Sequence, residues 1–339
     1  MKRTLGVLAA ATAILAVADV AAPAQAANPN SDTTFAVIGD VPYGLPQFAE
    51  FPHMVDEINA QDKLRFVAHV GDIKAGSQRC DDSYFLAIRA EFDRFEDPLI
   101  YTPGDNEWVD CHRVNNGAYN PLERLDKLRE VFYPRPGKTL GGNMPLTSQA
   151  KLGLPENVSF REARVEFAVL NIQGSNNDLA PWTGIGETAP TAEQLAEFRA
   201  REAANLQLIN ETFDRAEQRN ARGVVLMTQA DMFDPWTLAQ DPTVEDVSGF
   251  VSVVKLLAER TNRFDGPVYL INGDSHRYNA NSPLAPQSEW VRIYDVQPAS
   301  NLQRVTVEGD ATSKEWTKFT IHKKGADVLT WQRMPYRTF

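Results

Sequence analysis

Basic residues are scarce relative to acidic ones in this sequence. Its 339 residues include 34 Lys and Arg against 45 Asp and Glu, which gives a formal net charge of −11 at pH 7. A protein that holds a nucleic-acid backbone normally presents a basic face to the phosphates. The acidic balance therefore argues against a nucleic-acid partner, while 43% hydrophobic residues are ample for the core of one large domain.

Long apolar runs are absent outside the N-terminus. Lys2 and Arg3 precede an apolar stretch from Leu5 to Val20, and Ala24-Gln25-Ala26 offers a cleavage site. This order predicts a signal peptide over residues 1–26 and a periplasmic or secreted protein, with no membrane anchor after cleavage. A single transmembrane anchor is the alternative, disfavoured because the apolar run is too short and too rich in alanine.

Cysteine is also rare, since the chain contains two, Cys80 and Cys111. In an oxidising compartment such a pair is expected to form a disulfide. The two residues follow Asp72 and Asp105 by eight and six positions, so the bridge would join the loops that carry these aspartates. Two independent buried thiols are the alternative.

Two common catalytic signatures are missing from the sequence. No G-x-G-x-x-G follows a predicted strand, which disfavours a Rossmann-type nucleotide-dependent enzyme. No nucleophile elbow accompanies a Ser/His/Asp set, which disfavours an acyl hydrolase.

The sequence does contain a Gly-Asp pair just after each of four apolar strands, with the aspartates at Asp40, Asp72, Asp105 and Asp274. In an open α/β sheet the carboxyl ends of the strands form the edge where ligands bind. Four carboxylates at one edge repel each other unless a cation lies among them, so the pattern predicts a metal site. A fifth pair, Gly309-Asp310, lies between polar residues and predicts a hairpin turn instead.

Strand and helix patterns alternate along most of the chain, which indicates βαβ units. Strands are predicted at Phe35–Ile38, Leu64–Val70, Pro98–Tyr101, Val165–Ile172, Gly223–Thr228 and Val268–Ile271. Helices are predicted at Phe48–Ala60, Asp82–Phe95, Pro121–Phe132, Thr191–Asn220 and Asp246–Asn262. A surface loop is predicted at Pro134–Pro155. Alternating residues predict antiparallel strands at Trp290–Tyr294, Leu302–Val307, Trp316–His322 and Val328–Trp331.

In their order and strand context, these motifs resemble the calcineurin-like metallophosphoesterases, including the purple acid phosphatases. That family's usual series is Gly-Asp, Gly-Asp, Gly-Asn-His-Glu, a lone His after a strand, and Gly-His-x-His. The resemblance runs from Phe35 to Tyr278. It implies an α/β fold, a layered sandwich of mixed β-sheets flanked by helices. One such domain would cover residues 27–339, with antiparallel strands at its C-terminal end.

The chain departs from the family series mainly at histidines. Pro42 stands where the His of Asp-x-His is expected, and Gly104-Asp105-Asn106-Glu107 replaces Gly-Asn-His-Glu. Gln229 takes the place of the lone His, and Gly273-Asp274-Ser275-His276 replaces Gly-His-x-His. Oxygen ligands suit Mg²⁺, Mn²⁺ or Ca²⁺, whereas imidazole suits Zn²⁺ and Fe. The exchange therefore favours the first three ions.

The resemblance implies an exported metal-dependent hydrolase that cleaves a small phosphorylated substrate with the help of two divalent ions. The implied ligands are Asp40, Asp72, Asp105, Gln229, Asp274 and His276, with Asp72 as the bridge. The alternative is a non-catalytic protein that binds a metal or another ligand on the same scaffold. Two of the replacements, Asp105 and Asp274, add acid, and an acidic cluster without a cation costs stability. This favours a site that holds metal.

Asn106 occupies the place of the family's catalytic His, so the leaving group needs another proton donor. His112 is the nearest histidine along the chain. Asn106 could also be the metal ligand, with Asp105 behind it, and the sequence leaves both assignments open.

Other side chains on the loops that carry these motifs are predicted to contact the substrate: Tyr43, Arg113 and Arg277. Lys74 lies on the same loops, and we interpret it as a solvated surface charge, the commoner state of a loop lysine.

Overall fold

The computed structural model describes residues 32–62 and 64–336. The predicted signal peptide, residues 1–26, lies outside the described residues. The strands are β1 (Thr33–Ile38), β2 (Leu64–His69), β3 (Pro98–Tyr101), β4 (Leu140–Gly141), β5 (Thr147–Gln149), β6 (Leu154–Glu162), β7 (Val165–Val169), β8 (Gly223–Met227), β9 (Val268–Asn272), β10 (Asn279–Asn281), β11 (Leu302–Thr306), β12 (Glu315–Ile321) and β13 (Leu329–Pro335). The main helices are α1 (Gly44–Asn59), α2 (Asp82–Phe92), α3 (Pro121–Phe132), α4 (Ala192–Gln218), α5 (Val251–Arg263) and α6 (Glu289–Ile293).

The strands form two sheets that pack face to face. One sheet has the order β13-β12-β1-β2-β3-β4 and the other β10-β11-β9-β8-β7-β6-β5. Phe35 and Phe66 of the first sheet contact Phe167 of the second edge-on, with ring centroids 5.8 and 5.7 Å apart. The outer faces are covered by α1, α2 and α3 on one side and by α4, α5 and α6 on the other. The predicted sandwich of mixed sheets flanked by helices is confirmed.

Two of the helices begin with sequence signals that explain their position. Asn120 accepts hydrogen bonds from the backbone of Leu122 and Glu123, and Pro121 occupies the first helical position of α3. Thr191 and Gln194 form a reciprocal capping box at the start of α4. These caps satisfy backbone N–H groups that have no partner inside the helix.

Strand direction brings the predicted motifs to one edge. In the first sheet β1, β2 and β3 are parallel, and in the second β7, β8, β9 and β11 are parallel. Ile38 lies beside His69, which lies beside Tyr101, so three strands end level with each other. The loops that follow them therefore lie side by side.

The predicted strand at Trp290–Tyr294 is wrong, because Glu289–Ile293 is a helix. The hydroxyl of Ser288 accepts a hydrogen bond from the backbone of Trp290 at its start, and Trp290 and Ile293 are buried. Five residues with two large apolar side chains fit a short helix as well as a strand, and packing decided between them.

Two further expectations for the C-terminal region need correction. Strand β11 runs parallel to β9, so only β12 and β13 of the predicted C-terminal strands pair with each other antiparallel. Gly309-Asp310 is not a hairpin turn, because β11 and β12 belong to different sheets. Instead, the backbone N–H of Asp310 donates to the carbonyl oxygen of Asp40 at 2.9 Å.

The segment Pro134–Pro155 is not the irregular loop that its Gly and Pro content predicts. It contains β4, which extends the first sheet, and β5, which extends the second. Both strands are shorter than the runs of residues from which a strand can be predicted in a sequence.

Cys80 and Cys111 form the predicted disulfide, with Cα atoms 5.8 Å apart. Both residues are fully buried. In the described part of the chain, no helix is long and apolar enough to cross a membrane.

Replacing both Cys80 and Cys111 with Ser is expected to lower the free energy of unfolding by about 2–4 kcal/mol, because the unfolded chain gains entropy when the loop is opened. Urea denaturation with and without a reductant measures this. The reductant should destabilise the wild type and leave the double variant unchanged. Equal midpoints for all four samples would contradict the expectation.

Candidate metal centre

Three of the predicted aspartates lie in turns with left-handed backbone conformation. Their φ angles are 55° at Asp40, 60° at Asp72 and 74° at Asp274. Side-chain-bearing residues adopt this conformation rarely, and Asp is among those that tolerate it best. Such residues concentrate at functional sites, where the surrounding structure imposes the conformation. The same turn therefore ends three strands that converge on one edge.

Asp40, Asp72 and His276 form a group that could hold a cation. Each offers one ligand atom, and these atoms lie within 4.8 Å of one another. The side chains of Asp40 and Asp72 are buried, and that of His276 is 39% exposed. The hydroxyl of Tyr43 lies among them, 2.8 Å from Asp72 Oδ2, 3.1 Å from His276 Nε2 and 3.5 Å from Asp40 Oδ1.

The electrostatics of this group favour a bound cation. Burial raises the pKa of Asp40 and Asp72 well above the usual range, and the charges of Asp105 and Glu107 raise it further. At Asp40 a hydrogen bond from the backbone of Asp274 lowers the pKa and so opposes the effect of burial. Ionising all of these carboxylates together is costly, and a divalent cation would remove that cost. Two carboxylates and an imidazole are a donor set that divalent metals accept.

Asp105, Gln229 and Asp274, the other predicted ligands, lie beside this group. Gln229 Nε2 donates to Asp105 Oδ1 at 3.1 Å, and Asp274 Oδ2 accepts from the backbone N–H of Asp231 at 2.9 Å. A methyl group added to Gly174 would lie 2.6 Å from Asp274 Oδ1 and 2.9 Å from Asp105 Oδ2. All six predicted ligands therefore lie at one edge, and three of them form the compact group.

The two side chains predicted to be catalytic, Asn106 and His112, occupy different positions. Asn106 points into the centre, where its Nδ2 donates to Asp72 Oδ2 at 2.7 Å and to the Tyr43 hydroxyl at 2.9 Å. His112 lies further along the loop, and its Nδ1 accepts from the backbone N–H of Gly184 at 3.1 Å. Burial, followed by the charge of Arg113, lowers the pKa of His112.

Tyr43 and the two arginines differ in exposure. Tyr43 is buried, with its hydroxyl directed into the centre and not towards solvent. Arg113 is half exposed and pairs with the buried Asp110 at 2.6 Å. Arg277 is exposed and directly follows His276.

The sequence analysis missed two buried charges below the centre. Glu107 is fully buried, and its Oε1 accepts from the backbone of Asp72 and Gly104 and from the Tyr101 hydroxyl, at 3.0, 2.7 and 2.7 Å. Lys74 is fully buried as well, which corrects our interpretation of it as surface charge. Burial lowers its pKa to about 8, against the opposing pull of Glu107. The Glu of Gly-Asp-Asn-Glu was the available signal for the first; nothing in the sequence pointed to the second.

A left-handed turn beside the centre contains another buried acid. Asp178 Oδ1 accepts from Trp182 Nε1 at 2.8 Å and from Gln194 Nε2 at 3.3 Å. Burial raises the pKa of Asp178 to about 7. The carboxyl group is therefore protonated in the folded protein under mildly acidic conditions, when it has already ionised in the unfolded chain.

Replacing Asp178 with Asn is expected to change stability in a pH-dependent way. The pKa rises from 3.8 to about 7 on folding, so the wild type loses stability relative to the variant as pH increases through that window. The two proteins should unfold alike at pH 4, whereas the variant should be more stable by about 4 kcal/mol at pH 8. Urea denaturation at both pH values measures this. A constant difference across the window would contradict it.

Comparison with known proteins assigns the family. The model of the calcineurin-like phosphoesterase family matches residues 33–278. The chain therefore belongs to this family, and the resemblance stated from Phe35 to Tyr278 is confirmed. The chain is also similar in structure to "GAP50 the anchor in the inner membrane complex of Plasmodium", with 9% identity, a TM-score of 0.40, and coverage of 91% of this chain and 90% of that one. No curated protein matches the chain.

Proposed function

We propose that this protein is an exported, metal-dependent phosphoester hydrolase. The observation that carries the proposal is the convergence of Asp40, Asp72 and His276 within 4.8 Å at the strand edge of a calcineurin-like phosphoesterase. These three side chains would hold a divalent cation, with Mn²⁺, Mg²⁺ or Ca²⁺ favoured by the carboxylates. When bound, such an ion polarises a phosphoryl oxygen and lowers the pKa of water.

The chain's own residues would orient the ligands and bind the substrate. Tyr43 and Asn106 donate to Asp72 Oδ2 and hold its carboxylate in place. Arg113 and Arg277 lie at more exposed positions of the same loops, where guanidinium groups suit a phosphate. His112 is neutral near pH 7 because its pKa is lowered, and an amide such as Asn106 does not titrate. We infer that the leaving group takes its proton from water.

A small organic group would fit beside the centre. A cavity of about 210 Å³ is lined by Ser175, Asp231, Asp274, Phe250 and Trp290, among others. Its lining is mostly polar, with apolar contacts from Phe250 and Trp290, and its volume suits a small group. This supports a small phosphorylated substrate.

The buried disulfide between Cys80 and Cys111 supports export, because disulfides persist in oxidising compartments. Mass spectrometry of protein recovered from the periplasm or the medium tests this. A mature chain that begins at Ala27 is expected, and a protein found only inside the cell with Met1 retained would contradict export.

A second candidate function is metal or ligand binding without turnover on the same scaffold. The observation that favours it is Asn106, a group that cannot exchange protons, at the centre beside Asp72. The assay below separates the two functions.

The test is hydrolysis of a panel of phosphomonoesters and phosphodiesters by protein stripped with a chelator, then supplied with Mn²⁺, Mg²⁺, Ca²⁺ or Zn²⁺. Activity is expected only after an ion is added. His276→Ala should reduce it by about 100-fold or more, since ligand loss removes several kcal/mol of stabilisation. The matched control is His322→Ala, because His322 bonds to Asp32 and Thr330 at the end of β1 opposite to the one that leads to Asp40. Ion binding without hydrolysis of any ester would establish the second function instead.

A further inference from the structure

The amide of Gln229 is held in one orientation by two neighbours of opposite character. Its Oε1 accepts from the backbone N–H of Gly174 at 2.6 Å, and its Nε2 donates to Asp105 Oδ1 at 3.1 Å. A backbone N–H can only donate and a carboxylate can only accept, so turning the amide over would break both bonds. The group that Gln229 presents to Asp105 is therefore NH₂, which cannot bind a cation.

The stem of Gln229 has no room to move away. A methyl group added to Gly71 would lie 2.6 Å from both Cβ and Cγ of Gln229, so the backbone of Gly71 packs directly against the side chain. Rotation that brought Oε1 towards Asp105 would require this packing to open.

Asn106 presents the same kind of group to Asp72. Its Nδ2 donates to Asp72 Oδ2 at 2.7 Å, and its backbone N–H donates to Asp72 Oδ1 at 3.2 Å. Its Oδ1 is directed towards Gly76, where an added methyl group would lie 2.7 Å away. The side of Asp72 that faces Asn106 is therefore covered by hydrogen-bond donors.

The carboxylates predicted to bind a second ion are likewise occupied by donors. Asp105 Oδ2 accepts from the Ser175 hydroxyl at 2.6 Å, in addition to the bond from Gln229 to Oδ1. Among the residues the structure describes, Asp105 and Asp274 do not join a group of three acidic or His ligands as close as that of Asp40, Asp72 and His276. Amide and hydroxyl hydrogens here supply the positive partners that an ion would otherwise supply.

We propose that this centre holds a single divalent cation, bound by Asp40, Asp72 and His276, and that the amides of Gln229 and Asn106 take the place of the second ion expected for the family. The inference rests on the proposed function only for the presence of an ion. It differs from the expectation of two ions, and the ground for the difference is the orientation of two side chains. The centre is then a one-metal site whose other half is closed by hydrogen bonds.

The test is metal stoichiometry, measured with Mn²⁺ by titration calorimetry and by elemental analysis after dialysis. The wild type is expected to bind one Mn²⁺ per chain, and His276→Ala to lose it. Gln229→His, which replaces the NH₂ group with an imidazole, is expected to bind a second ion. Gln240→His is the matched control and should still bind one ion. Gln240 is exposed, and among the described contacts its side-chain amide donates only to the carbonyl oxygen of Trp236.

Electron paramagnetic resonance of the Mn²⁺-loaded wild type tests the same point without a variant. A single ion gives an uncoupled six-line spectrum, whereas two ions about 3.5–4 Å apart couple to each other. Two ions per wild-type chain or a coupled spectrum would overturn the inference, as would one ion that His276→Ala retains. An ion that binds without hydrolysis of any ester would overturn the proposed function and leave this inference standing.

Discussion

Replacing Asp72 with Asn is expected to abolish metal binding and to reduce phosphoester hydrolysis by about 1,000-fold or more. Asp72 is a member of the three-residue group, and it is buried with Tyr43 and Asn106 donating to Oδ2. An amide at this position would turn its NH₂ group either towards these donors or towards the backbone N–H of Asn106, which donates to Oδ1. It also removes the charge that holds the ion. A bound metal ion stabilises the transition state by several kcal/mol, and loss of that stabilisation gives a rate effect of this size.

The same replacement is expected to leave the metal-free protein at least as stable as the wild type. Burial and the neighbouring carboxylates raise the pKa of Asp72, so its ionised form costs stability near pH 7 when no cation is present. An Asn at this position carries no charge and avoids that cost. Melting temperatures in chelator and in Mn²⁺ measure both effects.

Asp62→Asn provides the matched control, because Asp62 is exposed. It should keep the activity and the rise in melting temperature that Mn²⁺ produces in the wild type. An Asp72→Asn protein that still gains stability from Mn²⁺ would show that Asp72 is not a ligand. If it were folded, loaded and inactive, Asp72 would act in catalysis without holding the ion.

Replacing Arg304 with Met is expected to lower the free energy of unfolding by about 3–5 kcal/mol, the usual cost of leaving a buried charge without its partner. Arg304 is fully buried and donates through Nη1 to Asp231 Oδ1 and to the carbonyl oxygen of Phe233, the latter at 2.8 Å. Without the guanidinium, Asp231 must either remain charged in the core or bind a proton. Urea denaturation measures the loss.

The pair also supports the metal centre. Asp231 Oδ2 accepts from the Ser275 hydroxyl at 2.7 Å, and its backbone N–H donates to Asp274 Oδ2. Ser275 stands between Asp274 and His276 in the chain. Arg304→Met is therefore expected to weaken Mn²⁺ binding by about 10- to 100-fold, as loss of a supporting contact does in other metal sites.

A double variant separates the two contributions. Asp231→Asn combined with Arg304→Met removes both charges and should be less destabilised than Arg304→Met alone. Arg263→Met is the surface control, since its pairing with Glu259 is exposed on α5 and should change stability by about 0.5 kcal/mol or less. If Arg304→Met unfolded at the wild-type urea concentration, the buried pair would contribute nothing.

Local patterns in the chain predicted the edge on which the site is built. Apolar runs that each end in Gly-Asp indicated parallel strands with their carboxyl ends together, and the structure has Asp40, Asp72 and Asp274 there. The disulfide was predicted from the presence of two cysteines in a chain expected to reach an oxidising compartment, and the structure has it. These features depend on residues close in sequence, or on rules that hold for any parallel sheet.

Short or isolated elements could not be predicted in the same way. Trp290–Tyr294 alternates over five residues, too few to separate a strand from a helix, and the cap at Ser288 together with burial decided for the helix. The sequence around Lys74 predicts an exposed loop lysine, yet its side chain is fully buried in the folded protein. Burial of a loop residue depends on segments far away in sequence.

The sequence by itself determined the family, the parallel strands and the residues that meet at their edge, because hydrophobic periods and strand-end motifs are local. Only the tertiary structure decided what those residues can do. Gly174 lies 55 positions before Gln229 in the chain, and its N–H orients the amide of Gln229. Tyr43 turns inward because its hydroxyl donates to Asp72 and lies within hydrogen-bond distance of His276. Hydrogen-bond direction is a property of groups brought together by folding, and no pattern of letters carries it.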